Sequence, residues 1–520
     1  MKNRDELIIF LLILSVAVFF RFYHIQTVPP GLYPDEAMNG NNALNALSTG
    51  DFKVFYPDNN GREGMFINIQ ALSVKVFGNT AWALRIVSAV MGVLTVAGLY
   101  LLGRQLFNAH IAALASFLLA VSFWHVLFSR IGFRAIMAPL LLVWGLYFLW
   151  RGLNSGHIPH FVFSGIFWGL GFHTYIAFRA MPLALLIILA TYWWNIRKDF
   201  DHGKFIHARN RLVRGIAALG LTAFIIALPL LWYFYNNPQD FLGRVGQLSI
   251  FASETPLLDL TENTVRTFGM FTVAGDWNWR HNYAGEPSLA WPIAALFAVG
   301  LLGSIFKLGK AWRKHKHLSV PQIVLLSWFF VGFAPVVVSN EGMPHALRAI
   351  LLAPVAMLFA AQGLWWIFQF IDRRYYMQDV HQLNVSLPLH HRMRLKESTA
   401  VSSLVLAIFM VAVGVMEFDK YFNRWAPRIE VAGAFSKNYA DLADQLNRLP
   451  TGRYKYVVVN AGGVPVNGVP MPAQTVMYLT DTWTRDKQEA KNIYYLSEEQ
   501  YRQRQYRQNG IVFTLEPLRQ

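Results

Sequence analysis

Two adjacent carboxylates, Asp35 and Glu36, are the first residues of this sequence that could carry out chemistry. They lie in the segment GLYPDEAMNG, shortly after the first long apolar run. A carboxylate held rigidly in a loop can act as a general base and accept a proton from a hydroxyl group. The alternative is a structural role, because Pro34, Asp35 and Glu36 also resemble a helix start. Asp35 would then cap free backbone N–H groups, and Glu36 would meet the positive end of the helix dipole.

Basic and polar side chains recur in four other segments, NNGREGMF, SRIGFRA, FHTYIAFRA and SNEGMPHALRA. An arginine at the end of a membrane helix is most often an anchor that reaches the polar interface. Several from different runs favour a site for a phosphate, because guanidinium groups bind phosphate oxygens in paired hydrogen bonds. The candidates are Arg62, Glu63, Arg130, Arg134, His173, Tyr175, Arg179, His345 and Arg348.

The spacing of these candidates adds one expectation. Arg130 and Arg134 are four residues apart and would share one face if the turn that holds them is helical, and the same holds for His345 and Arg348, three apart. Nearby aromatic residues, including Trp277, Trp279 and Tyr283, favour an interfacial aromatic belt over a platform for sugar stacking.

Together these residues match the needs of glycosyl transfer from a lipid phosphate. The reaction needs a carboxylate to accept the proton of the attacking hydroxyl and cations to stabilise the departing phosphate. We expect Asp35, with its neighbour Glu36, to supply the catalytic carboxylate, and Arg62, Arg130, Arg134, His345 and Arg348 to hold the phosphate. Glu63, His173, Tyr175 and Arg179 would support substrate binding. A divalent cation bound by Asp35, Glu36 or Glu63 is the alternative stabiliser, and no cofactor is otherwise indicated.

The elements that must position these residues are membrane helices. The chain has 520 residues, 54% hydrophobic and 15% charged, with a mean hydropathy of +0.32. About eleven apolar runs are each long enough to cross a bilayer. They extend over residues 7–23, 81–102, 111–128, 135–150, 161–175, 180–194, 215–234, 289–306, 321–338, 350–371 and 399–416. The first run lacks a small-residue cleavage site, which favours an uncleaved anchor.

Charge predicts the orientation of these runs. Lys and Arg are concentrated in three connections, at residues 197–214, 307–316 and 373–396. Eleven spans place all three connections on one side, which is cytoplasmic by the positive-inside rule. The Asp35 loop, the acidic connection 235–288 and the connection 339–348 then lie on the extracytoplasmic side of the cytoplasmic membrane. The net charge of +16 therefore indicates membrane topology rather than nucleic-acid binding. The absence of cysteine excludes thiolate sites and disulfides.

The last hundred residues differ in character from the rest. We expect a transmembrane catalytic domain at 1–416 and a small extracytoplasmic α/β domain at 417–520. FSKNYADLADQLNRL has helical spacing, YKYVVVN is typical of a strand and GGVPVNGVPMP of a loop. The sequence has no glycine-rich nucleotide-binding motif. An enzyme acting outside the cytoplasm would need a donor already embedded in the bilayer, and a lipid-linked phosphosugar fits that need.

Four segments together resemble the GT-C glycosyltransferases. They are YPDEA, the stretch that begins REGMFINIQALS, FSRIGFRA and MPHALRAILLAP. The resemblance covers roughly the first 370 residues, and it is to the group of protein O-mannosyltransferases and lipid A aminoarabinose transferases. It implies a polyprenyl-phosphate sugar donor, a catalytic acidic residue in the first outer loop, here Asp35, and inversion at the anomeric carbon. The chain has GREG where many relatives have a basic residue or His followed by two prolines, so donor and acceptor identity do not transfer.

Other classes of function remain open from the sequence. The acceptor could be a protein, a lipid or a glycan. A transporter or flippase of lipid-linked sugars is the alternative function, although such proteins commonly carry polar groups near the middle of the membrane and paired internal repeats. A scaffold that works through its C-terminal domain is a third hypothesis, in which Asp35 would be dispensable.

Overall fold

The protein is described here by a computed structural model of the full chain. The structure describes residues 3–199, 202–241, 250, 253–314, 317–339, 342–381, 389–466 and 468–517. Parts of the predicted basic connections, at 200–201, 315–316 and 382–388, and part of the acidic connection, at 242–249 and 251–252, lie outside these residues.

Helices form most of the chain up to Phe418. Each of the predicted apolar runs coincides with one of these helices, although run 111–128 is divided at Ser122. The helices are α1 (Asn3–Phe22), α2 (Pro34–Thr49), α3 (Met65–Phe77), α4 (Ala81–Leu106), α5 (Ala109–Val121), α6 (Phe123–Phe128), α7 (Met137–Ser155), α8 (Ile158–Gly171), α9 (Met181–Asp199), α10 (His202–Asn236), α11 (Pro256–Thr272), α12 (Trp291–Arg313), α13 (Val320–Val337), α14 (Ala353–His381) and α15 (Leu389–Phe418).

Seven helices within the described ranges are long and apolar enough to cross a membrane. They occupy residues 81–106, 134–155, 176–198, 205–236, 291–313, 320–337 and 350–371. Apolar helices of 13 or 14 residues occur at Met65–Phe77, Ala109–Val121 and Ile158–Gly171. The number of eleven spans therefore stays a prediction.

Short irregular elements connect the ends of the long helices. A two-residue antiparallel pair, β1 (Phe55–Tyr56) and β2 (Arg62–Glu63), follows α2. Single 3₁₀ turns at Arg134–Ile136, Ile176–Ala180 and Ile350–Leu352 precede α7, α9 and α14. The connection after α10 contains the helix α11, which the sequence did not predict, and Asn263 of α11 donates hydrogen bonds to the carbonyls of Val337 and Ser339, both at 3.1 Å.

The tail after α15 begins with a π-helical segment, Asp419–Trp425, and continues as a small mixed structure. Its sheet is parallel, in the order β6–β3–β7, and buries a separate cluster of apolar side chains beneath α17 and α18. The elements are α16 (Ile429–Ala434), α17 (Lys437–Arg448), β3 (Lys455–Val459), β4 (Pro465–Val466), β5 (Val469–Pro470), α18 (Gln474–Leu479), α19 (Arg485–Lys491), β6 (Ile493–Ser497), α20 (Glu498–Arg502) and β7 (Ile511–Thr514).

The predicted helix and strand of the tail coincide with α17 and β3, whereas the predicted loop at GGVPVNGVPMP contains the short β4–β5 hairpin. The tail packs directly on the first loop: Thr475 donates a hydrogen bond of 2.9 Å to the carbonyl of Leu32, and Tyr478 is fully buried against Gly40 of α2. The division into two domains at residue 416 stays a prediction.

Candidate active site

A cavity of about 990 Å³ lies where the tail covers one end of the helices. The first loop, the turns before α7 and α9, and the loops before α12 and α14 form its walls. The tail contributes Ser436, Tyr439, Val464 and Met471. Apolar residues from the helix ends line the opposite side, including Phe133, Ile176, Pro335, Val338 and Leu347.

Asp35 faces this cavity from the first turn of α2. Pro34 is the first residue of the helix, and Tyr33, with extended backbone angles, is its N-cap. The carboxylate of Asp35 is half-buried, and its Oδ1 accepts a hydrogen bond of 2.6 Å from Nδ2 of Asn59. Within the described ranges, no other Asp or Glu lines the cavity. A helix does start at this segment, as the structural alternative predicted, but Tyr33 rather than Asp35 is its N-cap.

Glu36 points away from the cavity although it is the next residue. Its side chain is fully buried and forms a paired salt bridge with Arg85, with Nε–Oε2 and Nη2–Oε1 distances of 3.0 Å. The backbone N–H groups of Gly132 and Tyr33 also donate to its carboxylate, at 2.7 and 3.4 Å. Glu36 therefore fixes the start of α2 and its contact with the SRIGFRA segment.

Four arginines line the cavity together with this single carboxylate: Arg62, Arg134, Arg280 and Arg348. Arg62 donates a 2.7 Å hydrogen bond to Oδ1 of Asn39 in α2. Arg348 donates to the hydroxyl of Ser339. Because positive charge exceeds negative charge on these walls, the cavity suits an anionic group such as a phosphate.

Glu63 lies outside the cavity and holds Arg134 in the cavity wall through an ion pair. Its carboxylate is 2.7 Å from Nε of Arg134 and 3.2 Å from Nη2 of Arg179, and it does not itself line the cavity. The guanidinium of Arg134 lies 5.9 Å from the ring centre of Tyr175, which does line it. Arg179 is held by Glu63 and by the rings of Phe234 and Phe241.

Two further predicted residues lie outside the cavity. Arg130 is fully buried and donates to the backbone carbonyls of Phe20, Tyr23 and Val28, at 3.0, 2.7 and 2.9 Å. Its guanidinium also packs on the rings of Tyr421 and Phe422. His173 is hydrogen bonded through Nε2 to the carbonyl of Ile226, at 2.9 Å.

The segment between Arg130 and Arg134 explains why they diverge. Helix α6 ends at Phe128 and the next turn starts at Arg134, so the intervening residues are not helical. The condition on which Arg130 and Arg134 would share a helix face is therefore not met. The backbone N–H of Gly132 meets Glu36 and its carbonyl accepts from Asn39 at 3.1 Å, which fixes the segment against α2.

Sequence reasoning missed Arg280 and His281 as site residues. Both lie in the segment DWNWRHNYAGE, whose aromatic residues indicated an interfacial belt. The guanidinium of Arg280 lies 3.7 Å from the ring centre of Tyr33, beside Asp35. Burial, and secondarily the charge of Asp35, raise the pKa of the Tyr33 hydroxyl, which therefore stays protonated at neutral pH. A basic residue between aromatic residues in an outer loop was the signal that could have identified Arg280.

Asp276 joins the loops that carry His281 and His345. Its Oδ2 lies 3.1 Å from Nδ1 of His281 and accepts a 2.9 Å hydrogen bond from the backbone N–H of Ala346. The two imidazole rings stack with centres 4.8 Å apart. Burial lowers the pKa of both histidines, well below the usual value for His345, so both are neutral at pH 7.

These same three residues are the group that could hold a divalent cation. One ligand atom from each of Asp276, His281 and His345 lies within 4.8 Å of the others. Asp35, Glu36 and Glu63 form no such group. Glu36 is paired with Arg85, and Glu63 is paired with Arg134 and Arg179.

The comparisons with known proteins agree with this architecture. Residues 65–233, under half of the chain, match the model of the dolichyl-phosphate-mannose-protein mannosyltransferase family. None of the curated proteins matches the chain in sequence.

Several solved structures are similar in fold. Archaeal oligosaccharyltransferase AglB from Archaeoglobus fulgidus, in complex with an inhibitory peptide and a dolichol-phosphate, aligns over 96% of this chain and 70% of its own, with 14% identity and a TM-score of 0.54. The same organism's oligosaccharyltransferase tethered with an acceptor peptide aligns over 95% of this chain but 64% of its own, slightly less than two thirds, with 15% identity and a TM-score of 0.53.

ArnT from Cupriavidus metallidurans bound to undecaprenyl phosphate aligns over 92% of this chain and 85% of its own, with 16% identity and a TM-score of 0.55. At these identities the likeness concerns the fold. It agrees with the resemblance carried by YPDEA, FSRIGFRA and MPHALRA, and the chain is thus a membrane protein with the GT-C glycosyltransferase fold.

Proposed function

We propose that this protein is an inverting glycosyltransferase that moves a sugar from a polyprenyl-phosphate donor to an acceptor hydroxyl. The observation that carries the proposal is the cavity in which Asp35 is the one described carboxylate facing four arginines. A base and a cationic phosphate site are the two components that this reaction requires. The apolar wall formed by the helix ends suits the first part of a polyprenyl chain.

In the proposed reaction, the oxygen of the acceptor hydroxyl attacks the anomeric carbon of the donor sugar while Asp35 accepts the proton of that hydroxyl. The bond from that carbon to the phosphate oxygen breaks on the opposite side, and its electron pair remains on the phosphate. Arg62, Arg134 and Arg348 stabilise this charge. Glu36, Glu63, Arg130 and Arg179 position these groups without contacting substrate, and His345 contributes to the wall beside Arg348.

The donor class is supported by the relatives. The solved structures of similar fold include one bound to undecaprenyl phosphate and one bound to dolichol-phosphate, and the matching family is named for a dolichyl-phosphate sugar. A lipid phosphate at the helix ends would bring its sugar to the cavity from within the bilayer. The proposal assigns stabilisation of the phosphate to the cavity arginines rather than to a divalent cation.

We further propose that the cavity lies on the extracytoplasmic side of the cytoplasmic membrane. Helices α9 and α12 each begin next to loops that line the cavity and end in basic turns that contain Arg197 and Lys198, or Lys310 and Arg313. Basic helix ends are typical of the cytoplasmic side, so the opposite ends face outward.

The test is sugar transfer by the purified protein reconstituted in lipid vesicles. A panel of radiolabelled polyprenyl-phosphate sugars would be offered with a membrane extract that supplies acceptors, with and without chelator. We expect one donor to be consumed, and Asp35→Asn to lower kcat about 100-fold or more, because general-base catalysis contributes that much. Asp51→Asn is the matched control, since Asp51 is exposed and does not line this cavity.

Unchanged turnover in Asp35→Asn would reject the assigned base. Movement of an intact lipid-linked sugar across the vesicle membrane, without transfer and independent of Asp35, would favour a flippase instead.

A further inference from the structure

A second cavity, of about 1170 Å³, lies further along α2 from Asp35. One wall is formed by α2 and the segment around Tyr56–Asp58, and the other by the sheet, α18 and α19 of the tail. The catalytic assignment uses none of its residues.

Aromatic rings form much of the tail side of this cavity. Tyr454, Tyr456 and Tyr494 line it from adjacent parallel strands and from the residue before β3. The rings of Tyr454 and Tyr456 stack on Tyr494, with centres 6.2 and 5.7 Å apart and interplanar angles of 21° and 29°. Trp483 also lines the cavity. Such rings offer flat apolar faces with polar edges.

Amide side chains form the α2 side of the cavity. Asn41, Asn42 and Asn45 line it from successive turns, and Gln474 faces them from the tail. Asn41 is 6% exposed and donates a 2.8 Å hydrogen bond to Oε1 of Gln474. An amide both donates and accepts hydrogen bonds, so it can recognise groups that do the same.

Three polar atoms on these walls are buried without a hydrogen-bond partner among the described residues. They are Oδ1 of Asn41, Nδ2 of Asn42 and Nε1 of Trp483. Native proteins rarely leave buried polar atoms unpaired, because each loses its hydrogen bonds to water. These three atoms lie just beneath the surface of the cavity, on residues that line it, so its walls retain unused hydrogen-bonding capacity of both kinds.

Charge on the walls of the second cavity does not favour a strongly ionic ligand. The lining includes Lys53, Arg485 and Arg507 against Asp58 and Glu489. Arg485 is paired with Glu489 at 3.2 Å, and the guanidinium of Arg507 lies 4.1 Å from the ring centre of Tyr454. The near balance contrasts with the cationic cavity of Asp35. A neutral ligand rich in hydroxyl groups fits better than a phosphate.

We propose that this second cavity binds a neutral oligosaccharide, the part of a glycan acceptor that precedes the hydroxyl to be modified. Sugar rings present C–H faces that pack on tyrosine and tryptophan, and hydroxyls that both donate to and accept from amides. This inference rests on the proposed glycosyl transfer and assigns its acceptor class.

The position of the cavity supports this role. Adjacent residues divide the two cavities: Asp58 lines the second and Asn59, the partner of Asp35, lines the first. Along α2, Asn41 follows Asp35 by about 9 Å of helix rise. A sugar chain in the second cavity could therefore extend its terminal hydroxyl towards Asp35.

The experiment measures binding separately from transfer, using the full-length protein in lipid nanodiscs. Linear hexasaccharides of glucose, mannose, galactose or N-acetylglucosamine would be titrated and followed by saturation-transfer NMR, with a Ser–Gly hexapeptide as the competing class. We expect at least one hexasaccharide to bind, and Trp483→Ala and Asn42→Ala each to raise its Kd tenfold or more. Asn438→Ala is the matched control, because Asn438 is exposed on α17 outside both cavities, and should change Kd less than twofold.

Trp483→Phe keeps an aromatic ring but removes the N–H group, so it should raise the Kd by a smaller factor than Trp483→Ala. Because it preserves most of the side-chain volume, it also tests the site if Trp483→Ala fails to fold. Binding of the hexapeptide alone, binding of no probe, or hexasaccharide binding that Asn42→Ala and Trp483→Phe leave unchanged would each overturn the proposal.

Two variants distinguish failure of the glycan-site proposal from failure of the proposed glycosyl transfer. Asp35→Asn should stop transfer while binding the hexasaccharide with native Kd, because Asp35 lies in the other cavity. Asn42→Ala should raise the KM for acceptor and leave the KM for donor unchanged. If Asp35→Asn retains full turnover while the hexasaccharide still binds, the catalytic assignment fails and the glycan site stands.

Discussion

At the scale of single residues, Asp35 and Glu36 are adjacent in sequence and opposite in environment. Successive residues of a helix point about 100° apart, so the first turn of α2 directs Asp35 to the cavity and Glu36 to the interior. Asp35 keeps one side-chain hydrogen bond and is half-buried, whereas Glu36 is enclosed with Arg85. One carboxylate can meet substrate and the other can only hold the fold.

This difference predicts that Glu36→Gln destabilises the protein, while Asp35→Asn does not. The substitution at Glu36 leaves the buried guanidinium of Arg85 without a counter-charge, which costs about 3 kcal/mol. The measurement is the thermal unfolding midpoint of the purified protein in detergent. Asp35→Asn serves as the matched control, with an unfolding midpoint close to that of the native chain. Equal midpoints for both variants would contradict the structural role of Glu36.

Arg348 carries the second prediction at this scale. Arg348→Ala should raise the KM for the lipid-phosphate donor about tenfold, because one charged hydrogen-bond donor to phosphate is lost. Arg266→Ala is the control, since Arg266 pairs with Glu262 on the exposed face of α11 and lines neither cavity. Steady-state kinetics with varied donor would decide the matter. An unchanged donor KM in Arg348→Ala would place the phosphate site elsewhere.

Much of this site was predictable from residue type and little of it from spacing. Asp35, Arg62, Arg134, Tyr175, His345 and Arg348 were candidates and line the cavity. Arg130 was an equally good candidate in sequence, but the break after Phe128 turns it towards three backbone carbonyls. The direction of a side chain in an irregular segment depends on contacts with distant residues, here Glu36 and Asn39, which no local pattern encodes.

At the scale of elements, apolar runs predicted the long helices, because hydrophobicity over twenty residues is a strong signal. Hydrophobicity did not predict the short elements, because these depend on contacts with residues that are distant in sequence. Run 111–128 breaks at Ser122, where the N–H of Phe123 donates a 2.7 Å hydrogen bond to Glu417, almost three hundred residues away. The β4–β5 hairpin is only two residues deep on each strand and carries no alternating pattern.

Gly31 lies where the first loop approaches the tail closely, so a side chain at this position should disturb the contact between them. Its φ is +72°, and a Cβ there would lie 2.5 Å from the carbonyl oxygen of Phe435 and 2.7 Å from Cα of Lys437. Gly31→Ala should therefore lower the unfolding midpoint and speed tryptic cleavage of the tail. Gly50→Ala is a matched control, with φ of +74° and nothing within 4 Å of the added Cβ.

Both alanine variants carry the strain of a left-handed backbone, about 1 kcal/mol. Only Gly31→Ala adds the clash with the tail, which costs roughly 1–3 kcal/mol more. If the two variants lose the same stability and are cleaved at the same rate, the close approach of loop and tail is not maintained in solution.

At the scale of the whole molecule, the tail completes the cavity that the helices begin. Arg62, Arg134, Arg280 and Arg348 come from the membrane bundle and its loops, whereas Ser436, Tyr439, Val464 and Met471 close the space above them. Trp425 and Phe435 belong to the apolar core of the bundle, while the sheet of the tail buries a separate cluster. The cavity's arginines and the residues that close it thus belong to different parts of the chain.

This arrangement predicts the behaviour of a chain that ends at Ser436. It keeps Trp425 and Phe435 in the bundle core and all four cavity arginines, so it should remain folded and bind a lipid-phosphate donor within about tenfold of the native Kd. Transfer should fall at least about 100-fold, because water enters the opened cavity and the acceptor loses its second wall. Donor binding and transfer would be measured on the same reconstituted sample.

Asp35→Asn in the 520-residue chain is the comparison. That variant should also bind the donor without transferring its sugar, because it has lost the base although the cavity is still enclosed. Native transfer by the shortened chain would mean that the bundle alone forms the working site, whereas loss of donor binding would mean that the tail also shapes the phosphate wall.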